Sequence, residues 1–105
     1  MERKYTVMHK WADDYTASRH GGTCKWSPVL EGVQYSKACD CVLEQIAMED
    51  GSPCETMRKA YGAGLAVRLQ GETRFNYDVS IYAIVATSRV RKWLRENGEN
   101  LGGAK

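Results

Sequence analysis

The stretch LAVRLQGETRFNYDVSIYAIVA, residues 65–86, constrains the fold more than any other part of the chain. Its apolar residues recur at every second position, the period of a strand with one face turned inward. Gly71-Glu72-Thr73 reads as a three-residue loop between two strands. Leu69 then faces Phe75, Val67 faces Tyr77 and Leu65 faces Val79, so the apolar faces coincide. Coincidence of faces is what fixes register. Ile81, Ala83 and Val85 carry the alternation onward. A helical stripe also fits from Asp78, through Val79, Tyr82, Ala83, Ala86, Val90, Trp93 and Leu94. β-branched and aromatic residues dominate as far as Val85, which favours a strand.

A second alternating segment opens the chain. In KYTVMHKWAD, Tyr5, Val7, His9 and Trp11 point one way, and Thr6, Met8 and Lys10 the other. This predicts a strand with one buried face. Gly21-Gly22 predicts a hairpin onto a short strand near Thr23–Trp26, which Pro28 ends or keeps at an edge. Residues 36–51 predict a helix. Ser36 caps it, Cys39, Val42, Leu43, Ile46 and Ala47 form its apolar stripe, and Gly51 follows its last turn. Asp40, Glu44 and Met48 lie on another face of this helix. Ser52, Pro53 and Glu55 supply the N-cap, first position and capping-box partner of a further helix. The last helix is TSRVRKWLRENG, capped by Thr87 or Ser88, with Val90, Trp93 and Leu94 inward. The element order is β(β)ααββα. It implies a small α+β domain over residues 1–97, with three to four antiparallel strands and two to three helices mainly on one face. Residues 98–105 read as a flexible tail.

The 105 residues suffice for one modest core, not two. No apolar run is long enough to cross a membrane, and MERKYTVMHKW has no signal-peptide segment. The expectation is a cytoplasmic protein whose four cysteines are reduced. Charge is unevenly spread. Residues 1–50 hold six Lys/Arg and eight Asp/Glu, whereas residues 51–105 hold nine and five. One acidic and one basic surface follow. Asp40, Glu44, Glu49 and Asp50 mark the acidic face, and Arg89, Arg91, Lys92 and Arg95 mark a basic C-terminal helix.

Two resemblances bear on function. Residues 42–61 resemble the helix-turn-helix of phage repressors, with Ala47, Gly51 and Met57 at the small, turn and apolar positions and Ile46 before Ala47. The departures are Asp50 before the turn glycine, Ser52 after it, and the small Ala60 in the late core position. Glu49, Asp50 and Glu55 would also meet phosphates with like charge. In size and lack of motif the chain is similar to small accessory proteins of phages and mobile elements, anti-CRISPR inhibitors among them. That likeness is one of type, carried by no residue motif.

Cys24, Cys39, Cys41 and Cys54 lack the close pairing of structural zinc ligands. His9 reads as a packed strand histidine and His20 as a loop residue. No P-loop, GxGxxG or nucleophile elbow is present, and Asp13-Asp14 reads as turn chemistry. These readings predict no cofactor, no metal and no catalysis. They predict a binding protein that contacts another protein or a ribonucleoprotein complex, with regulation through DNA as the alternative. Trp11, Tyr15, Trp26 and Tyr35 are candidate contact anchors. No membrane partner is expected, and an exposed strand edge leaves both monomer and homodimer open.

Overall fold

Alternation along the chain builds a sheet that is apolar on both sides. The structure is a computed structural model describing residues 3–22, 24–50, 55–69, 72–77 and 79–97, with the backbone alone at 49 and 50. The elements are β1 (Tyr5–Trp11), α1 (Asp14–Arg19), β2 (Ser27–Val33), α2 (Tyr35–Asp50), α3 (Met57–Gly62), β3 (Ala66–Leu69), β4 (Glu72–Tyr77), β5 (Ser80–Ala86) and α4 (Val90–Glu96). A 3-10 turn at Thr87–Arg89 leads into α4. The five strands lie in the order β2-β1-β5-β4-β3, and every pairing is antiparallel. The α+β class holds, with five strands and four helices among the described residues rather than three to four and two to three, and α4 packs on the face opposite α2 rather than all helices mainly on one.

Val7, Phe75, Tyr82 and Ile84 point to one face of the sheet. They pack with Ala38, Cys39, Val42, Leu43 and Ile46 of α2, Ala60 of α3 and Ala66 of β3. Met8, Ala83 and Val85 point to the other face and pack with Trp26 and with Trp93 and Leu94 of α4. Burial of each Val, Leu, Ile, Phe or Met side chain among these contributes about 1.5–3 kcal/mol. By contrast, Lys59–Glu55, with both side chains largely exposed, contributes about 0–1 kcal/mol. The two apolar clusters therefore hold the fold. Buried hydroxyls find partners: Thr6 Oγ1 lies 2.9 Å from Thr87 Oγ1, and Tyr35 Oη 2.7 Å from Thr73 Oγ1.

Several expectations need correction. Residues 65–86 form a three-strand meander, because the chain reverses again between Tyr77 and Ser80. In β3–β4, Leu69 pairs with Glu72, Val67 with Arg74 and Ala66 with Phe75. Two residues separate the paired Leu69 and Glu72, one fewer than the Gly71-Glu72-Thr73 loop implied, and the partner of Leu69 moves by three positions, an odd number. Val67 and Leu69 consequently leave the core face and stand exposed, and Ala66 takes the buried place. The strand β1 is buried on both faces at Thr6, Val7 and Met8, because α4 covers the side expected to meet solvent. In place of the Gly21-Gly22 hairpin stands α1, whose N-cap Asp13 accepts a 2.7 Å bond from the Thr16 N–H. The second strand is Ser27–Val33, not Thr23–Trp26, and it tolerates Pro28 because β2 is an edge. Gly32, at φ +67°, sits where the β1–β2 pairing slips between Tyr5↔Val33 and Val7↔Leu30, a bulge position that glycine fills without strain.

The first α2 residue is Tyr35, one before the expected cap Ser36. Its stripe is Ala38, Cys39, Val42, Leu43 and Ile46, with Ala47 half-buried. The next helix starts at Met57 with Thr56 as its cap, not at Pro53 with Ser52. Gly51, Ser52, Pro53 and Cys54 lie outside the described residues, as does the tail 98–105. The last helix has no side-chain cap: its N-cap position is Arg89, and Thr87, in the 3-10 turn before it, bonds Thr6. β5, read as strand, is strand.

Register gives a sharp test. Ala66→Lys should cost about 3–5 kcal/mol in urea unfolding, the penalty of an unpaired buried charge. Val67→Lys should stay within about 0.5 kcal/mol, as at other exposed positions. The reverse ranking would mean that the β3–β4 pairing is misassigned.

Candidate functional site

The helix α2 lies across β1, β2 and β5 with its apolar stripe down. Asp40 and Glu44 occupy its outer surface, four residues apart and both exposed. They edge a groove of about 510 Å³ between α2 and β2, which also exposes parts of Leu30, Lys37 and Cys41. Glu49 and Asp50 fall in the last turn of α2, and their side chains lie outside the described residues.

The basic residues sit across the sheet. Burial of Trp93 and Leu94 against Met8, Ala83 and Val85 fixes the rotation of α4. Arg91, Lys92 and Arg95 are thereby turned outward, and Arg89 in the preceding turn is exposed as well. The ion pairs among the described residues are Lys59–Glu55 and Arg74–Glu72, so none of Asp40, Glu44, Arg89, Arg91, Lys92 and Arg95 is neutralised in one. The C-terminal end of α4 is tied down: Arg74 Nη2 donates to Glu72 Oε1 at 2.9 Å and to Asn97 Oδ1 at 3.2 Å. Lys10 Nζ and the Arg74 guanidinium lie 4.9 and 5.5 Å from the Trp26 ring, which also meets Trp93 at 4.8 Å. Those two cations serve the packing of this face.

Of the aromatic candidates, Trp26 is buried, while Trp11 and Tyr35 are half-buried. Tyr15 alone among the four is largely exposed, with Arg19 stacked 5.8 Å from its ring.

The turn of the helix-turn-helix reading, Gly51 to Cys54, lies outside the described residues. That motif joins its helices by a turn of three to four residues. Here α2 runs to Asp50 and α3 begins at Met57, with Glu55 and Thr56 in neither helix. Met57, expected within the second helix, is its first residue. The whole of α3 spans 6 residues, and its buried residue is Ala60.

Cys24, Cys39 and Cys41 are free thiols. Burial raises the pKa of each. The Asp14 carboxylate adds to the effect at Cys24, Asp40 at Cys39 and Glu44 at Cys41. All three are poor thiolates, hence poor nucleophiles. Among the described residues, no group of three or more His, Cys, Asp or Glu stands close enough to hold a metal ion. No described helix is long and apolar enough to cross a membrane.

A ring stack occupies the end of β1. His9 meets Trp11 at 4.7 Å and Tyr82 at 4.8 Å, and Trp11 stacks on His20 at 4.2 Å. His9 Nε2 lies 3.1 Å from Ser80 Oγ. Burial, then the charge of His20, lowers the His9 pKa below its ordinary 6.5.

No protein-family model, curated protein or solved structure matches this chain. The surfaces must be read by their own chemistry. Sequence patterning located Asp40, Glu44 and the α4 cations. It missed Arg3 and Arg68, which line one cavity with Arg89 at the end of the sheet. Arg68 was hidden by the register. Pairing Val67 with Tyr77 would have put Arg68 on the solvent side, whereas the observed pairing with Thr73 puts it beside Tyr35.

The histidine makes a pH prediction. Below about pH 6.5 the unfolded chain protonates this group while the folded chain resists, so stability is full above 6.5 and falls as pH drops toward the lower folded value. Urea unfolding compared at about pH 7.5 and about pH 5.5 should show a smaller loss for His9→Gln than for the parent. An identical loss would assign the acid sensitivity to other groups.

Proposed function

We propose that the protein is a non-catalytic binding protein that engages another protein, or a ribonucleoprotein complex, through its charged faces. The observation that carries this is the separation of charge across the sheet: Asp40 and Glu44 exposed on α2, Arg91, Lys92 and Arg95 exposed on α4. Opposed fields of this kind steer association and set orientation. The acidic surface of α2, extended by Glu49 and Asp50 in sequence, offers carboxylates on the outside of a well-anchored helix. A partner that ordinarily binds phosphates would accept such a surface as a mimic. The finer form of the proposal is therefore an inhibitor that occludes a nucleic-acid-binding surface, in the manner of the anti-CRISPR proteins that the chain resembles in type.

A second reading rests on α4. Four exposed cations in seven residues, Arg89 to Arg95, could follow a phosphate backbone. The two readings differ in salt dependence and in which face matters.

Affinity purification from host cells with quantitative mass spectrometry should recover one protein or ribonucleoprotein partner with the parent chain. Asp40→Lys/Glu44→Lys should reduce that recovery about tenfold or more, equivalent to at least about 1.4 kcal/mol. Fluorescence anisotropy with mixed-sequence duplex DNA discriminates the alternative. Binding that falls steeply with salt and is lost in Arg91→Glu/Lys92→Glu would replace protein recognition with DNA binding.

A further inference from the structure

At one end of the sheet, where β1 begins, β5 ends and the β3–β4 reversal lies, there is a cavity of about 130 Å³. Its buried lining includes Thr73 and Ile84, with Tyr35 half-buried beside them. Its exposed lining carries Arg3, Arg68 and Arg89. These arginines come from three distant parts of the chain, and neither ion pair among the described residues uses any of them. Arg68 is placed over the Tyr35 ring at 5.8 Å. The Glu72 carboxylate also borders this end, but it does not neutralise them. Strand alternation turns its side chain to the face opposite Thr73, and its Oε1 accepts from Arg74 Nη2 at 2.9 Å.

Three like charges around one small cavity repel each other, and a bound anion relieves that repulsion. Guanidinium groups present planar donor forks that match tetrahedral oxyanions. The hydroxyls of Tyr35 and Thr73, 2.7 Å apart, add neutral polar groups at the inner side. Burial pushes the Tyr35 hydroxyl up to about 12, so it adds no negative charge at physiological pH. Size limits the ligand. A cavity of about 150 Å³ accommodates a benzene-sized molecule. The volume here therefore suits one tetrahedral oxyanion and its nearest substituent atoms.

We propose that this cavity binds the phosphoryl group of phosphate or of a small phosphomonoester, held by Arg3, Arg68 and Arg89. The site is independent of the acidic surface on α2, so its failure would leave partner recognition by α2 untouched.

Isothermal titration calorimetry with inorganic phosphate, and separately with glycerol 3-phosphate, tests this at constant ionic strength set by chloride. Saturable binding at one site per chain is expected with at least one of the two. Arg68→Gln and Arg89→Gln should each weaken it about tenfold or more, the factor that corresponds to about 1.4 kcal/mol. Both residues are exposed, so their variants should keep the parent's thermal midpoint without ligand. Arg95→Gln, outside the cavity, should bind like the parent. Tighter binding of glycerol 3-phosphate would assign the site to esters, and tighter binding of inorganic phosphate would assign it to the free anion. No saturable heat with either ligand up to about 10 mM, a limit near −2.7 kcal/mol, would overturn the proposal. Equal weakening by Arg95→Gln would overturn it too, by reducing the effect to net charge.

Discussion

Strand β5 is covered on both faces and paired along both edges, and the remaining elements are arranged to keep it so. Its even-numbered residues Ser80, Tyr82, Ile84 and Ala86 meet the α2 side; Ile81, Ala83 and Val85 meet the α4 side. A strand in that position needs two helical layers. It also needs a partner strand on each side, supplied by β1 and β4. Once both layers are present, the outward surfaces of α2 and α4 face away from each other. The double-sided core thus holds the acidic side of α2 and the basic side of α4 on opposite surfaces, with each helix presenting its polar side to solvent.

The legible parts of the sequence were those where periodicity and burial agree. The stripe of α2, the inward Trp93 and Leu94 of α4, and the alternation of β1 and β5 all come from single-element patterns. They survive whatever the rest of the chain does. The illegible parts depended on partners. Alternation in β3 could not reveal which β4 residue lies opposite, because a short edge strand with apolar residues at 65, 66, 67 and 69 fits either face. The Gly21-Gly22 pair looked like a hairpin, yet Asp13 had already capped a short helix before it. The capping box at 52–55 was chemically consistent, but the helix uses Thr56. Local cap signals of similar quality compete, and tertiary packing of Ala60 selects among them.

The same dependence on pairing explains which charged residues could be found in advance. The Asp40/Glu44 pair and the α4 cations follow from helical spacing alone. The cluster of Arg3, Arg68 and Arg89 arises only when the segment before the first strand, the short third strand and the turn after the fifth strand meet at one end of the sheet. No spacing rule along the chain connects residues so far apart. By contrast, the cations around Trp26 are part of the packing, since Arg74 is held between Glu72 and Asn97.

The two borders of the sheet are unlike. On the β2 side, Pro28 lacks an amide donor and the pairing with β1 slips twice, whereas β3 pairs with β4 in unbroken register. Lateral growth of this sheet is therefore directional: β3 offers a template and β2 does not. A strand added beside β3 would meet four residues, Ala66–Leu69, so such a contact would be a short ladder.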